Sequence, residues 1–192
     1  ERQKVLSLDE SGVVLEVRAA TLPPAAATGA PPPDDLKPWL TSTPALQADH
    51  PDMLKQAAEI VGAKEAMLDK ARAIHEWVHR GVSKEMTVSL PSALDVLRTM
   101  KGDCNEHTYL TVALARAAGL PAKVMVGIVY HEGAFCYHVW PAIYAGQWVE
   151  MDPTWGQETV DATHIALVEG ELEQQLQLIK VMGQLKIHVI EE

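Results

Sequence analysis

Cys104, His138 and Asp152 put a thiol, an imidazole and a carboxylate into one chain of 192 residues, the parts required for nucleophilic acyl transfer. The thiol lies in Lys101-Gly-Asp-Cys104-Asn-Glu106-His107. Asp103, followed three residues later by Glu106, has the form of a capping box, and Leu110, Ala113, Leu114 and Ala117 then recur at helical spacing until Gly119 and Pro121. Cys104 is therefore expected at the first helical position. Unpaired backbone N–H groups and the positive end of the helix dipole favour a thiolate there. A free cysteine is also commonly a small buried hydrophobe, so the helix start alone does not assign chemistry.

The elements downstream must bring the imidazole and carboxylate together. Ala122 to Tyr130 is apolar and rich in β-branched residues, His131-Glu132-Gly133-Ala134 reads as a turn, and Phe135 to Ile143 and Gln147 to Asp152 read as two further strands. This is an antiparallel meander following a helix. A three-residue loop at Tyr144-Ala145-Gly146 would pair Ile143 with Gln147 and place His138 directly opposite Asp152 on one face. A carboxylate so placed orients the imidazole and fixes its tautomer. Pro141 cannot donate to a ladder and implies an edge or bulge nearby.

Several segments, in order, resemble the transglutaminase-like core of bacterial proteins. They are Gly102-Asp-Cys104, Leu114-Ala-Arg116-Ala-Ala-Gly119-Leu-Pro121-Ala-Lys-Val, His138-Val-Trp140-Pro and Trp148-Val-Glu-Met-Asp152-Pro153-Thr154, and the likeness runs from about Trp39-Leu40 to about Gly170. Asp161-Ala-Thr-His164-Ile resembles the continuation found in a bacterial branch of that superfamily. The resemblance implies an α+β, papain-like fold with the cysteine at the N-terminus of a helix packed on an antiparallel sheet. It also implies Cys104 as nucleophile, His138 as general base and then acid, and Asp152 as orienter. The reaction would be a two-step acyl transfer on an amide bond of a protein or peptide, through a thioester that water or an amine resolves. No cofactor and no metal are implied, and no acidic loop of the EF-hand type points to calcium.

An oxyanion hole is needed, and the backbone N–H of Cys104 is the natural first donor. Trp77, Trp140 and Trp155 are candidates for a second donor or for pocket walls; Trp140 shares a strand face with His138. His107 is expected to project from the first helical turn as a polar neighbour of the site. Cys136, two residues before His138, is read first as a packed thiol, then as a disulfide or redox partner of Cys104, and last as part of a zinc site with Cys104, His107 and His138. A separate chemistry is conceivable at His75-Glu76-Trp77-Val78-His79, which fits the H-E-x-x-H pattern of zinc hydrolases. No third ligand follows it. Met67, Ala71, Ile74 and Val78 form a core stripe on the same helix, so its histidines are read as a solvated flank.

Composition bounds the rest. A chain with 47% hydrophobic residues and both helix and strand patterns can bury one core, and a net charge of −10 argues against nucleic-acid or anionic-membrane partners. No apolar run reaches the roughly 20 residues of a membrane span. Residues 1–20 read as a β-hairpin resembling the end of a preceding β-domain, residues 21–35 as a stiff Pro/Ala-rich linker, and residues 36–192 as the main domain. Because the first residue is Glu1, the sequence is read as a fragment lacking that N-terminal domain. Helices are expected from Pro51 to Gly62 and from Lys64 to Arg80, a C-terminal helix around Leu172, Leu176 and Ile179, and a last strand through Leu185, Ile187 and Val189. The same fold could also serve as a non-catalytic interaction module, but such a module has no need of the thiol, imidazole and carboxylate together.

Overall fold

The computed structural model describes residues 2–10, 12–24, 32–86, 92–182 and 184–190. It begins with an antiparallel hairpin of β1 (Gln3–Asp9) and β2 (Gly12–Val17). The hairpin is fastened to the body of the molecule by side-chain bonds. The Gln3 amide accepts from Ala166 N–H at 2.6 Å and donates to the Ala166 carbonyl at 2.9 Å. Residues 25–31 of the Pro/Ala-rich segment lie outside the described residues. A 3-10 helix, Asp34–Leu40, then buries Leu36.

Three helices form one layer. The first, α1 (Pro51–Val61), starts with proline at its first turn and ends at Gly62, whose φ is +52°. It buries Met53 and Ala57. The second, α2 (Met67–Gly81), buries the expected stripe of Met67, Ala71, Ile74 and Val78. Next, β3 (Ser83–Lys84) pairs in parallel with β4 (Lys101–Gly102) across the intervening α3 (Ala93–Thr99). That short pairing fixes the backbone just before Cys104.

Helix α4 (Cys104–Ala117) is the axis of the fold. Every residue from Glu106 to Arg116 is buried, so the helix has no solvent face, whereas its apolar spacing alone marks only one stripe. Two of its polar side chains bond to neighbouring elements: Thr108 donates to the Val139 carbonyl at 3.0 Å, and Arg116 donates to the carbonyls of Ala122 and Thr41 at 2.9 and 2.6 Å.

On the other side lies the meander. Strand β5 (Ala122–His131) turns through Glu132 and Gly133, both at positive φ, into β6 (Ala134–Tyr144), a two-residue hairpin of the type those conformations favour. With β7 (Trp148–Glu150) and β8 (His164–Glu169) it forms an antiparallel sheet in the order β7-β6-β5-β8. Pro141 sits where β7 has just ended. Its carbonyl accepts from Met151 N–H at 3.0 Å, so its nitrogen faces the same side, beyond the last paired residue of β7.

The C-terminus departs from expectation. Helix α5 (Leu172–Met182) buries Gln175 and Leu178, with Gln175 donating to the Tyr109 hydroxyl at 3.1 Å, while Leu176 is exposed. A partner for the polar Gln175 set the rotation of the helix, which apolar spacing could not reveal; the Ile179 side chain lies outside the description. No strand forms over 184–190, and Leu185, Ile187 and Val189 are exposed. Alternation does not make a strand where no neighbouring edge takes up the backbone groups.

Gly127 shapes the sheet at the site. It pairs with His138 on one side, and on the other the β5–β8 register slips between Val126 and Gly127. A Cβ on Gly127 would overlap the carbonyl oxygen of Ile165, so only glycine lets β8 come this close. Gly127→Ala is expected to destabilise the fold by about 2–3 kcal/mol, because the obstacle is backbone and cannot rotate away. Urea denaturation with hydrogen exchange at the β8 amides measures it; an unchanged midpoint with unchanged protection would show that β8 does not lie so close.

Candidate active site

The N-terminus of α4 is built by its own sequence. Asp103 caps the helix, accepting from Asn105 N–H at 3.0 Å, while the Glu106 carboxylate reaches back to Asp103 N–H at 3.0 Å, the capping box expected from the sequence. Gly102 has φ +156°, and a side chain there would overlap that of Glu106. Cys104 is thus held at the first helical position, half-buried.

The thiol is not poised as a thiolate. Burial first, and the adjacent Asp103 carboxylate second, push it up to about 12, against an opposing backbone hydrogen bond from Val139. The helix-end effect of about 0.3–1 kcal/mol is worth less than one pKa unit and does not reverse this. Asp103 itself is pushed up to about 6 by burial and by Glu106. The Val139 contact places the sulfur against the strand residue next to His138.

His138 and Asp152 do meet. Nε2 of His138 lies 2.8 Å from Oδ2 of Asp152, both groups buried. An ionised carboxylate only accepts, so Nε2 carries the proton and Nδ1 remains the basic nitrogen. The register differs from the expected one by two residues. Tyr144 pairs with Trp148 and Ile143 with Val149 around the loop Ala145-Gly146-Gln147, and Asp152 lies past the end of β7. A slip of two preserves the face of every side chain, so Asp152 approaches His138 from a diagonal position. Asp152 also forms an isolated bridge with Gln157, each donating its N–H to the other's carbonyl at 2.8 and 2.9 Å.

The carboxylate has further partners that spacing did not reveal. Oδ1 accepts from the N–H groups of Thr154 at 2.8 Å and Trp155 at 3.3 Å. Oδ2 also lies 3.3 Å from Nε2 of His164, a fully buried ring whose Nδ1 is 3.1 Å from Oδ1 of Asp161. Burial alone would raise the Asp152 carboxyl, but the bonds from His138 and His164 prevail and hold it below the usual carboxylate range. The detectable signal was Asp161 three residues before His164: Asp161 also accepts from the backbone N–H and hydroxyl of Thr163, which fixes a turn.

Aromatic rings enclose His138. Trp155 stacks on it with centroids 4.5 Å apart and planes 8° from parallel, and Trp140 lies on it at 5.9 Å. The Trp140 indole donates to Glu150 at 2.8 Å, which removes it from the candidate oxyanion donors and leaves it a wall. Trp77 is absent from the site: it lines a groove with Ile60, Ala73 and Arg80 between α1 and α2. His107 does not project as a polar neighbour. It is fully buried, and its Nδ1 donates to the Asp103 carbonyl at 2.7 Å, bracing the cap from within.

The remaining cysteine and the H-E-x-x-H segment also read differently in three dimensions. Cys136 is exposed, and both cysteines are free, so it is neither a packed thiol nor a disulfide partner. His75 is buried, and Nδ1 of His79 donates to the Pro153 carbonyl at 2.8 Å, so these histidines back the Asp152 turn instead of forming a solvated flank. The two rings stack nearly parallel with centroids 6.3 Å apart, and Glu76 pairs with Arg80. They do not converge as zinc ligands would. His138, Asp152 and His164 have ligand-type atoms within 4.8 Å of one another, but those atoms are joined as hydrogen-bond donors and acceptor.

Residues 55–153, just over half the chain, match the family model for the transglutaminase-like superfamily. The chain belongs to that superfamily. An uncharacterized protein of Haemophilus influenzae is 31% identical over 116 residues, covering 53% of this chain and 31% of that protein. Mouse kyphoscoliosis peptidase is 29% identical over 114 residues, covering 50% of this chain and 17% of that protein. The chain thus spans less than a third of either relative. The crystal structure of a candidate cysteine protease from Cytophaga hutchinsonii superimposes with a TM-score of 0.62 at 23% identity, over 74% of this chain and 49% of that one, which is likeness of fold. The match includes Cys104, His138 and Asp152 and stops short of Trp155, Asp161 and His164.

In this transglutaminase-like fold the depressed Asp152 carboxyl makes stability depend on acid. A group whose folded value lies below its unfolded one contributes fully above about pH 5, and the contribution is lost as pH falls through the folded value. Asp152→Asn is therefore expected to flatten the decline of the urea midpoint between about pH 5 and pH 2. A decline as steep as in the native protein would assign the acid sensitivity to other carboxylates.

Proposed function

We infer that this domain is a thiol enzyme that cleaves or transfers acyl groups at amide bonds of a protein or peptide. The observation that carries the reading is the Asp152–His138 hydrogen bond at 2.8 Å through Nε2, which leaves Nδ1 of His138 to serve as the base, while the Cys104 sulfur at the start of α4 meets the backbone of Val139, the next residue on the strand. Family membership supports the same chemistry.

In this reading Cys104 attacks the carbonyl carbon while its proton passes to Nδ1 of His138. The tetrahedral oxyanion is met by the free N–H of Cys104. Collapse transfers the His138 proton to the leaving amine and leaves a thioester on Cys104. Water or a second amine, deprotonated by His138, then attacks that thioester and regenerates the thiol. Because the resting thiol is neutral, proton transfer accompanies attack. Trp155, stacked on His138, is the remaining tryptophan candidate for a second oxyanion donor or a wall against the substrate.

Iodoacetamide labelling of Cys104 at pH 7, with Cys136→Ser as background, tests the base directly. Labelling is expected to fall by about 100-fold or more in His138→Ala. Cys104→Ala should abolish both labelling and any amidase activity on a casein digest while leaving the thermal midpoint within a few degrees. Labelling indifferent to His138, or activity surviving in Cys104→Ala, would overturn the mechanism and favour an interaction module on the same fold.

A further inference from the structure

Strand β6 has an edge that β7 leaves uncovered. Neighbouring residues of a strand direct their backbone N–H and C=O groups to opposite sides. Tyr144 N–H bonds to the Pro121 carbonyl at 2.8 Å, towards β5, whereas the Pro141 carbonyl accepts from Met151 N–H at 3.0 Å, on the β7 side. The β5–β6 register runs from Ala122 opposite Ile143 to His131 opposite Ala134 without a slip, so the alternation holds along the whole strand. Even-numbered residues of β6 therefore bond to β5, and Val139, Tyr137 and Phe135 face the other way. Pairing with β7 reaches only from Tyr144 to Ala142. The N-terminus of α4 takes the next place: the Thr108 hydroxyl donates to the Val139 carbonyl at 3.0 Å, and the Val139 N–H meets the Cys104 sulfur. Beyond the sulfur, no bond from the described residues reaches the outward N–H or C=O of Tyr137 or Phe135.

We propose that this open edge of β6 binds the acyl donor as an extended peptide, which adds to the sheet through the backbone N–H and C=O of Tyr137 and lays an apolar side chain against Phe135 and Tyr130. This rests on the reading of Cys104 as the nucleophile of a thiol enzyme. Exposed strand edges are ordinarily guarded by lysine, proline or a bulge, because unpaired backbone groups invite a further strand. Phe135-Cys136-Tyr137 carries none of these guards. The edge is therefore left ready for pairing at the one place where it adjoins the thiol. Main-chain bonds would supply affinity whatever the peptide sequence, and alternate side chains would supply selection.

The side chains along the edge fit such a ligand. Tyr137 and Phe135 share a strand face with Val139, and Tyr130, directly opposite Phe135, packs on it with ring centroids 5.1 Å apart. Exposure rises with distance from the helix: Val139 is buried, Tyr137 and Phe135 are half-buried, and Tyr130 is 46% exposed. The rings thus lie past the end of α4, uncovered enough to receive a side chain. On the opposite face stand His138 and the exposed Cys136. Two residues of a strand span about 7 Å, so the peptide residue bonded to Tyr137 lies within about two positions of the carbonyl presented to Cys104. A compact amide with no peptide backbone has nothing to offer this edge.

A thiol probe with a peptide backbone tests the proposal on the full chain in a Cys136→Ser background. Acetyl-Ala-Ala-Phe-Ala chloromethyl ketone alkylates a thiol with loss of chloride, and its rate at Cys104 is read relative to that of iodoacetamide, which has no backbone to pair. Derivatives N-methylated at one residue at a time are expected to lose rate in alternation: about 5- to 10-fold where the N–H meets the Tyr137 carbonyl, and no more than about twofold at the adjacent residue. A flat series would overturn the proposal. On the protein side, Tyr137→Pro removes the outward N–H and Tyr137→Ala keeps it; Pro141 shows that β6 accepts proline at an outward-facing position. The peptide-to-iodoacetamide ratio is expected to be about 5-fold lower in Tyr137→Pro than in Tyr137→Ala. Equal ratios in the two folded variants would overturn the proposal, and if Tyr137→Pro does not fold, the N-methyl series on the unaltered strand decides. Iodoacetamide labelling indifferent to His138 beside an alternating series would sink the enzyme reading and leave the edge standing as a peptide-binding strand. Labelling that depends on His138 beside a flat series would sink the edge alone, as would a dimer in sedimentation whose second copy occupies it.

Discussion

A carboxylate with no exposed surface is an expensive object, and the Asp152 carboxylate is fully buried. Removing such an ion from water costs several kcal/mol unless donors replace the water on each oxygen. Here they do: two backbone N–H groups on Oδ1 and two imidazoles on Oδ2. These four donors come from three parts of the chain. The turn after β7 supplies Thr154 and Trp155, β6 supplies His138, and β8, admitted by Gly127, supplies His164. The backbone of the turn is buttressed from behind by His79 on α2, whose ring packs so closely on Gly156 that a side chain there would overlap it. Loss of any one donor leaves a buried charge short of a partner, so the geometry around Asp152 is enforced by the cost of failing to achieve it.

Legibility in the sequence follows the range of the interactions involved. The capping box at Asp103 and Glu106, the turn at Glu132-Gly133 and the stripe on α2 are local, and residues three or four apart carry their whole signal. The pairing of His138 with Asp152 was legible although the register was not, because a slip of two residues preserves the side-chain face. What spacing could not supply was the second set of partners. His75 and His79 read as a solvated flank because the stripe on α2 shows which positions face the core and says nothing of a turn some 75 residues away whose carbonyl needs a donor. His107 read as a site neighbour for the same reason: its burial comes from α4 being enclosed on all sides, a property of the assembled layers.

The N-terminal hairpin shows the same dependence from the opposite end of the chain. Alternation in β1 and β2 identified two strands, and no chemistry was assigned to them. Yet Arg2 forks onto Glu150, which in turn takes the Trp140 indole proton, so the first described residue braces the wall of His138 through one intermediary. A bidentate arginine pair with both side chains largely shielded is far more directional than a surface ion pair. It fixes β7 relative to β8, and with them the two strands that flank the Asp152 turn.

The thiol completes the argument because its environment opposes the one usually associated with a reactive cysteine. Two pairs of influences act on Cys104 with opposite sign: burial and the Asp103 carboxylate disfavour the anion, while the Val139 contact and the helix terminus favour it, and the first pair is larger. A standing thiolate beside a standing imidazolium would place three charges with Asp152 in one small volume. A neutral thiol keeps a second negative charge out of the volume that the Asp152 carboxylate already occupies. Asp152 in turn is anchored on both oxygens, by the Thr154 N–H on one and by His138 and His164 on the other, so the imidazole that neighbours Val139 is fixed by a carboxylate that cannot itself turn.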